Sequence, residues 1–233
     1  MFHEPPDGFR AFDPHGEVTV YHRDLPHWRQ RGATYFVTFR LADSLPQSKL
    51  AELREIRKEW RERHFNGLEP EPTEEEIKKH KDKWEQLSRT LMARSEKWLD
   101  QGLGSCVLKQ SEIREIVVES LEKFDGKQYD LGAFVAMPNH VHLVMRPLED
   151  NKLEDILQRR KQWTSTEINK AIGEDGALWQ QESYDRIIRD SEHLWKTLQY
   201  IGNNSRKAGI DESESTRWVS EKLIEKGWKF VDE

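Results

Sequence analysis

The feature that most constrains the fold is a pair of strand-like runs joined by a very short turn. Residues 129–136 have the sequence YDLGAFVA and residues 140–146 have the sequence HVHLVMR, with Met137, Pro138 and Asn139 between them. Pro and Asn favour tight turns, so the two runs can pair as neighbours. We therefore predict an antiparallel β-hairpin at this position.

The second strand of this hairpin begins with two histidines, His140 and His142. Residues two apart on a strand project from the same face, so both imidazoles are directed to one place while Val141 faces the opposite side. Two converging imidazoles form half of a divalent-metal site. Histidines at this spacing also occur as ordinary strand residues, but the apolar run that follows predicts a buried strand that can hold ligands rigidly.

The rest of the chain predicts an α+β fold with a central antiparallel β-sheet covered by helices. A β-branched and aromatic run at 35–41 predicts a strand, and residues 179–188 are extended or mixed. Helical spacing of apolar residues predicts helices at 111–124, 153–172 and 191–207. We expect about four or five strands in the sheet.

One elaborated domain fits the length of 233 residues. Residues 1–33 are rich in Pro, His and Gly and predict an irregular N-terminal arm. The domain is predicted at 34–210, including a long charged helical insertion at 47–101, and residues 211–233 are predicted to form an acidic C-terminal tail.

The insertion predicts two antiparallel helices separated by a turn at 66–72, where Gly67, Pro70 and Pro72 lie. It is rich in Lys, Arg and Glu, and we find no chemical cluster in its sequence. Its helices are expected to pack through five apolar residues: Trp60, Trp84, Leu87, Leu91 and Trp98.

Composition limits the kinds of partner. A net charge of −6 argues against a protein that coats nucleic acid by bulk electrostatics, so any DNA contact must be local. Cys106 is the only cysteine, which excludes an internal disulfide and a cysteine-based zinc cage. No apolar run approaches the roughly 20 residues that span a bilayer, and no signal peptide is recognisable, so we expect a soluble, cytoplasmic protein with no membrane partner.

The best local candidate for DNA contact combines cations with an aromatic ring that can stack on a base. It consists of Arg159, Arg160, Lys161 and Trp163. A solvated helix face is the alternative interpretation of the same residues.

Four blocks of sequence, taken in order, resemble a known family. They are 32–40 (GATYFVTFR), 136–144 (AMPNHVHLV), the stretch 178–190, and 200–209 (YIGNNSRKAG). They resemble the single-tyrosine HUH transposases, and more fully their REP-associated tyrosine transposase branch. The resemblance implies a ferredoxin-like HUH endonuclease fold and action on single-stranded, hairpin-forming DNA, such as a repetitive extragenic palindrome, by a monomer or a homodimer.

The resemblance also implies roles for individual residues. Tyr200 is implied to be the nucleophile that forms a 5′-phosphotyrosine link, and Asn204 the third metal ligand beside His140 and His142. Residues four apart on a helix share one face, so the phenol and the amide can reach the same phosphate. The implied cofactor is Mg²⁺ or Mn²⁺, and the chain has no phosphate-binding loop that would indicate a nucleotide cofactor.

Other residues of the same blocks are candidates for supporting roles. Tyr184 is the alternative nucleophile. The sequence departs from the family pattern at Gly202, where His is common, and at Ser205, where Pro is usual. The remaining candidates for DNA contacts are Arg186, Arg189, Arg206 and Lys207.

Two other functions stay open at this stage. A metal-dependent hydrolase would use His140 and His142 with Asp185 or Asp190 as ligand or base, and would form no covalent link to DNA. A non-catalytic nucleic-acid-binding protein would bind DNA without cutting it, by stacking bases on the sheet.

Overall fold

The computed structural model describes residues 6–22, 26–65, 75 and 81–231. Its strands are β1 (Thr19–His22), β2 (Pro26–Arg29), β3 (Tyr35–Arg40), β4 (Tyr129–Ala136), β5 (His140–Pro147), β6 (Tyr184–Ile187) and β7 (Thr216–Val219). Its α-helices are α1 (Gln47–Phe65), α2 (Lys81–Leu99), α3 (Ser111–Glu122), α4 (Leu153–Ile172), α5 (Ser191–Lys207) and α6 (Glu221–Glu225). Among the described helices, none is both long and apolar enough to cross a membrane.

The centre of the molecule is a five-stranded antiparallel sheet with the strand order β6-β3-β5-β4-β7. The chain order β3-α3-β4-β5-α4-β6 and the positions of these four strands are those of a ferredoxin-like fold, with β7 added beside β4. The predicted α+β class and the antiparallel sheet are confirmed. The predicted hairpin is also confirmed, because β4 and β5 are paired neighbours.

Helices cover both faces of the sheet, and alternation along the strands decides which side chain meets which helix. Val37 and Leu143 pack in the core that also contains apolar residues of α3 and α4. Phe36 and Val144 project from the opposite face and pack against apolar residues of α5. His142 precedes Val144 by two residues, so the histidine pair lies on the face covered by α5.

Helices α1 and α2 confirm the predicted antiparallel pair. Trp60, near the end of α1, clusters with Leu87 and Leu91 of α2, whereas Trp98, near the end of α2, clusters with Leu50 near the start of α1. The predicted turn at 66–72 and the side chain of Trp84 lie outside the described residues.

The predicted irregular arm is wrong in part, because β1 and β2 pair as a two-stranded sheet. Val20 of β1 is fully buried in the cluster of Trp60, Leu87 and Leu91. Two strands of four residues are too short to give a periodic sequence signal, and the apolar partners of Val20 lie in the insertion, far along the chain.

The predicted acidic tail is also wrong in part. Strand β7 pairs with β4 as an edge of the main sheet, and Trp228 is buried in the core beneath α5. The acidic composition of 211–233 conceals this packing, because charged residues such as Arg217, Glu221 and Lys222 lie on the exposed side of a short strand and a short helix. Residues 211–231 therefore extend the sheet and the core.

Candidate metal centre

The two histidines that the sequence singled out meet inside the protein. His140 and His142 are both fully buried, and their Nε2 atoms are 3.0 Å apart. Thr38 is the cross-strand partner of His142 on β3, and its Oγ1 lies 2.7 Å from His142 Nδ1. If His142 Nδ1–H donates to this oxygen, Nε2 keeps its lone pair for a cation.

Asn139 determines which nitrogen of His140 carries the proton. Its Nδ2 group donates to the carbonyl oxygens of Leu99, at 3.2 Å, and Leu103, at 3.1 Å. The amide is therefore oriented with Oδ1 towards His140, whose Nδ1 lies 2.7 Å away. His140 Nδ1–H must be the donor of that bond, which leaves Nε2 unprotonated and directed at His142.

A carboxylate from the insertion completes the cluster. Glu96 of α2 is buried, and its Oε2 lies 3.1 Å from His142 Nε2. One ligand atom from each of Glu96, His140 and His142 lies within 4.8 Å of the other two, so these residues could hold a metal ion. The sequence did not reveal this role, because Glu96 is one of many acids in a charged helix far from the histidines along the chain.

Tyr200 of α5 lies directly beside the histidines. Its hydroxyl donates a hydrogen bond to Glu96 Oε2 and is 3.3 Å from His142 Nε2. The Tyr200 ring meets the Phe36 ring edge-on, with 5.8 Å between centroids, which fixes the phenol over the sheet.

Asn204, one helical turn after Tyr200, is buried at the same place. Its side chain lies near both His140 and Tyr200. Its Oδ1 atom is buried and accepts no hydrogen bond within the described part of the chain. The structure thus brings together the four residues that the sequence placed at the centre, and adds Glu96.

Burial and charge set the protonation of these groups. Burial lowers the pKa of His140, and the neighbouring His142 lowers it further, to about 3, so His140 is neutral at pH 7. Burial raises the pKa of Glu96, but its contacts with the neighbouring His142, together with smaller effects of His140 and Tyr200, outweigh burial and bring the pKa to about 2. Burial and the adjacent Glu96 charge raise the pKa of the Tyr200 phenol. The centre therefore combines a neutral imidazole, a carboxylate and a protonated phenol.

Gly202 lies two residues after Tyr200 on α5, at a departure from the family pattern. A Cβ atom at this position would lie 2.6 Å from ring carbons of Phe230. The C-terminal segment thus packs directly on the backbone of α5, and glycine permits the close approach.

The alternative residues lie elsewhere. The centroid of the Tyr184 ring lies 6.3 Å from that of Phe36, on the same side of the sheet as Tyr200. Among the described residues, the Tyr184 hydroxyl makes no hydrogen bond to either histidine. Asp185 pairs with Val37 and thus projects to the opposite face of the sheet, where it binds His27 and Arg29. Asp190 caps α5 by accepting from the His193 backbone N–H. Neither aspartate reaches the histidine pair.

The residues predicted to contact DNA are divided between two surfaces. Helix α4, which carries 159–163, covers the sheet face opposite the histidines. Within it, Arg159 and Trp163 are exposed, whereas Arg160 is buried over the Phe124 ring at 3.9 Å and Lys161 donates to the Gln181 carbonyl. The other candidates lie on β6 and α5 or just after β6: Arg186, Arg189, Arg206 and Lys207.

Fold and site together define a class of protein: a ferredoxin-like α+β domain in which two imidazoles and a carboxylate, able to hold a metal ion, surround a tyrosine hydroxyl. Residues 107–204 match the family model described as "Transposase IS200 like". This segment contains the hairpin, both histidines, Tyr200 and Asn204, and it confirms the predicted resemblance to transposases over just under half of the chain.

A solved structure of a REP-associated tyrosine transposase bound to a REP hairpin is also similar to this chain. The TM-score is 0.45 and the sequence identity 14%, with 91% of this chain and 91% of that chain covered. No curated protein matches the chain in sequence.

Proposed function

We propose that this protein is a metal-dependent, transposase-like enzyme that cuts and rejoins single-stranded DNA through a 5′-phosphotyrosine link to Tyr200. The observation that carries the proposal is the convergence of the Tyr200 hydroxyl with two buried imidazoles and a buried carboxylate. The family match over 107–204 supports the transposase-like class independently of this geometry.

The donor atoms present suit a divalent cation. His140 and His142 would offer neutral nitrogen, and Asn204 and Glu96 would offer oxygen, a mixed set that Mn²⁺ and Mg²⁺ accept. Asn204 Oδ1 and Glu96 Oε1 are both buried without a hydrogen bond in the described chain, and such atoms are costly unless something binds them. When bound, the cation would polarise the scissile phosphodiester and offset its negative charge.

The protein's own residues would carry out the covalent step. The Tyr200 oxygen forms a bond to phosphorus as the bond between phosphorus and the 3′ oxygen breaks, so one strand end leaves as a 3′-hydroxyl. The proton balance closes within the step, because the departing 3′ oxygen gains one proton as the phenol loses one. Glu96, which accepts the hydrogen bond of the Tyr200 hydroxyl, would orient that hydroxyl towards phosphorus. Attack by a second 3′-hydroxyl reverses the step and rejoins the strand without a nucleotide cofactor.

The substrate proposal comes from the sequence blocks. Their resemblance to the REP-associated branch indicates hairpin-forming single strands. We propose that the site prefers such DNA to a continuous duplex, because the tyrosine is only partly exposed over the sheet and a paired, stacked strand cannot readily approach it.

Covalent trapping tests this function. Hairpin oligonucleotides from DNA flanking the gene would be incubated with Mn²⁺ and the protein, and products separated under denaturing conditions. We expect a protein–DNA adduct with the wild type and with Tyr184→Phe, and none with Tyr200→Phe. Cleavage without an adduct would indicate the hydrolase, and binding without cleavage would indicate the non-catalytic protein.

A further inference from the structure

A cleft of about 580 Å³ opens beside Tyr200 on the face of the sheet covered by α5. Helix α2 of the insertion forms one wall, α5 forms the other, and Phe36, Tyr184 and Arg186 of β3 and β6 line the floor. The basic residues along this cleft are Arg89, Lys97, Arg186, Lys196 and Lys207. A surface of this kind is unexpected in a chain with a net charge of −6.

Three arginines gather around one carboxylate, Glu85, beside this cleft. Arg89 and Arg186 line the cleft itself, and Arg189 lies next to it. Glu85 Oε2 is 3.1 Å from Arg89, 3.8 Å from Arg186 and 3.6 Å from Arg189. One carboxylate cannot neutralise three guanidinium groups, which repel one another at this spacing. Burial lowers the pKa of His193, and the charges of Arg186 and Arg189 lower it further, to about 4, so the surplus positive charge belongs to the arginines.

Arg186 is the arginine best placed to bind an anion. It pairs with Phe36 across the sheet and lines the cleft floor. Its Nη2 atom is buried and makes no hydrogen bond to the described residues, and its separation of 3.8 Å from Glu85 exceeds hydrogen-bond length. Guanidinium groups match phosphate oxygens in geometry and charge, whereas a shared single carboxylate leaves most of their donors unused.

We propose that this cleft binds the sugar-phosphate backbone of the single strand next to the scissile phosphate, with Arg89, Arg186 and Arg189 as its phosphate clamp. This rests on the proposed function, because it assumes that the strand is cut by Tyr200. The insertion then has two roles: Glu96 enters the metal centre and Arg89, two helical turns earlier on α2, binds DNA. The strand would approach along the α5 face and leave the α4 surface around Arg159 free of DNA.

Salt-dependent binding tests the clamp. A fluorescein-labelled oligothymidylate would be titrated with wild-type protein in EDTA, where no cutting occurs, across a series of salt concentrations. Arg89→Gln and Arg189→Gln change side chains that are about half exposed, at 50% and 45%. We expect each to weaken binding about tenfold and to reduce the slope of log affinity against log salt by about 0.7, the value for one lost phosphate contact on a single strand.

Lys170→Gln is the matched control, because it removes one positive charge from an exposed position on α4, which covers the opposite face of the sheet. Its slope should equal that of the wild type. An absence of wild-type binding at low salt, unchanged slopes in the cleft variants, or an equal loss in the control would each overturn the proposal. Thermal unfolding of every variant verifies that the fold is intact, and a change in structure alone would not lower the slope.

Glu85→Gln gives the opposite test. Removing the competing carboxylate should tighten oligothymidylate binding several-fold, since the three arginines lose the negative charge that they share. Weaker binding would show that Glu85 organises the arginines for the structure and would overturn the clamp. If the Arg89 and Arg189 variants keep the wild-type salt slope while the wild type forms a Tyr200 adduct, only this inference fails. If their salt slopes are reduced but the wild type forms no adduct, only the proposed function fails.

Discussion

The hydroxyl of Tyr200 donates a hydrogen bond to the carboxylate of Glu96, although 104 positions separate the two residues in the chain. The same carboxylate oxygen contacts His142 Nε2 at 3.1 Å. Helix α2 of the insertion and helix α5 of the domain therefore meet at the histidine pair. This contact gives the insertion a place in the chemistry of the site that its sequence did not indicate.

Replacing Glu96 tests whether the insertion supplies a metal ligand. Glu96→Gln keeps the shape of the side chain but removes its charge, so we expect Mn²⁺ affinity to fall at least tenfold, as losses beyond the ligand shell already cost that much. Isothermal titration with Mn²⁺ measures the affinity. Glu55→Gln, at an exposed position of α1, is the control. Equal Mn²⁺ affinities in the two variants would show that Glu96 is not a metal ligand.

Asn139 offers a test of how His140 is positioned. Asn139→Ala removes the acceptor for His140 Nδ1–H and both donations to the end of α2. We expect Mn²⁺ affinity to fall 10- to 100-fold and the free energy of unfolding to fall by about 1–3 kcal/mol, the cost of an unpaired buried donor. A loss of stability with unchanged Mn²⁺ affinity would mean that Asn139 only joins the helix to the hairpin.

Gly202 should resist even a small side chain. In an ordinary helix Gly→Ala stabilises by about 1 kcal/mol, but here the new methyl group would lie 2.6 Å from the Phe230 ring. Overpacking costs about 1–3 kcal/mol, so Gly202→Ala should lower the free energy of unfolding by about 1 kcal/mol. Denaturant unfolding measures this change. In a Phe230→Gly background, which also removes the Phe230 Cβ atom at 2.9 Å, the same substitution should be stabilising, and a stabilised single variant would refute the contact.

The stability of the protein should depend on pH through His27. Both ring nitrogens face carboxylates, Nδ1 with Asp185 at 2.6 Å and Nε2 with Glu182 at 3.0 Å. Burial lowers the pKa of His27, but Asp185 and then Glu182 raise it more, to about 9, from an ordinary 6.5. A raised pKa stabilises the fold fully below pH 6.5, and this contribution is lost as pH rises from there to about 9.

Unfolding at about pH 5.5 and about pH 9.5 measures that contribution. The difference in unfolding free energy between wild type and His27→Gln should shrink on the order of 3 kcal/mol from the lower to the higher pH. Asp185 works in the other direction: burial raises its pKa, Arg29 and His27 lower it to about 2, and its contribution is lost only as pH falls below about 4. His15→Gln, at an exposed site, is the control variant.

Local sequence patterns were sufficient to predict the relative positions of residues that lie on the same strand or helix. Alternation along β5 placed both imidazoles on one face, and helical spacing placed Tyr200 and Asn204 one turn apart on α5. The resemblance implied their roles, and the structure shows that their side chains lie close together. The sheet and most helices followed from runs long enough to show a period.

Contacts between distant segments could not be predicted in this way. Glu96 resembles every other acid of a charged helix, and only tertiary packing brings it to His142. Strand β7 has four residues among charged neighbours, so its alternation is lost in the acidic composition. Arg160 stands in a basic run, yet its guanidinium lies over Phe124, which shows why a run of cations does not by itself define a DNA surface.

The central claim is that Tyr200 forms the bond to DNA, and peptide mapping of the trapped adduct tests it most directly. After digestion with nuclease and trypsin, mass spectrometry would locate the residual nucleotide on the protein. Tyr200 lies in the peptide 197–206 and Tyr184 in the peptide 171–186, so the two are resolved. We predict a nucleotide linked through its 5′ phosphate to Tyr200 in the first peptide. A nucleotide on the second peptide, or cleaved DNA with no modified peptide, would contradict the account.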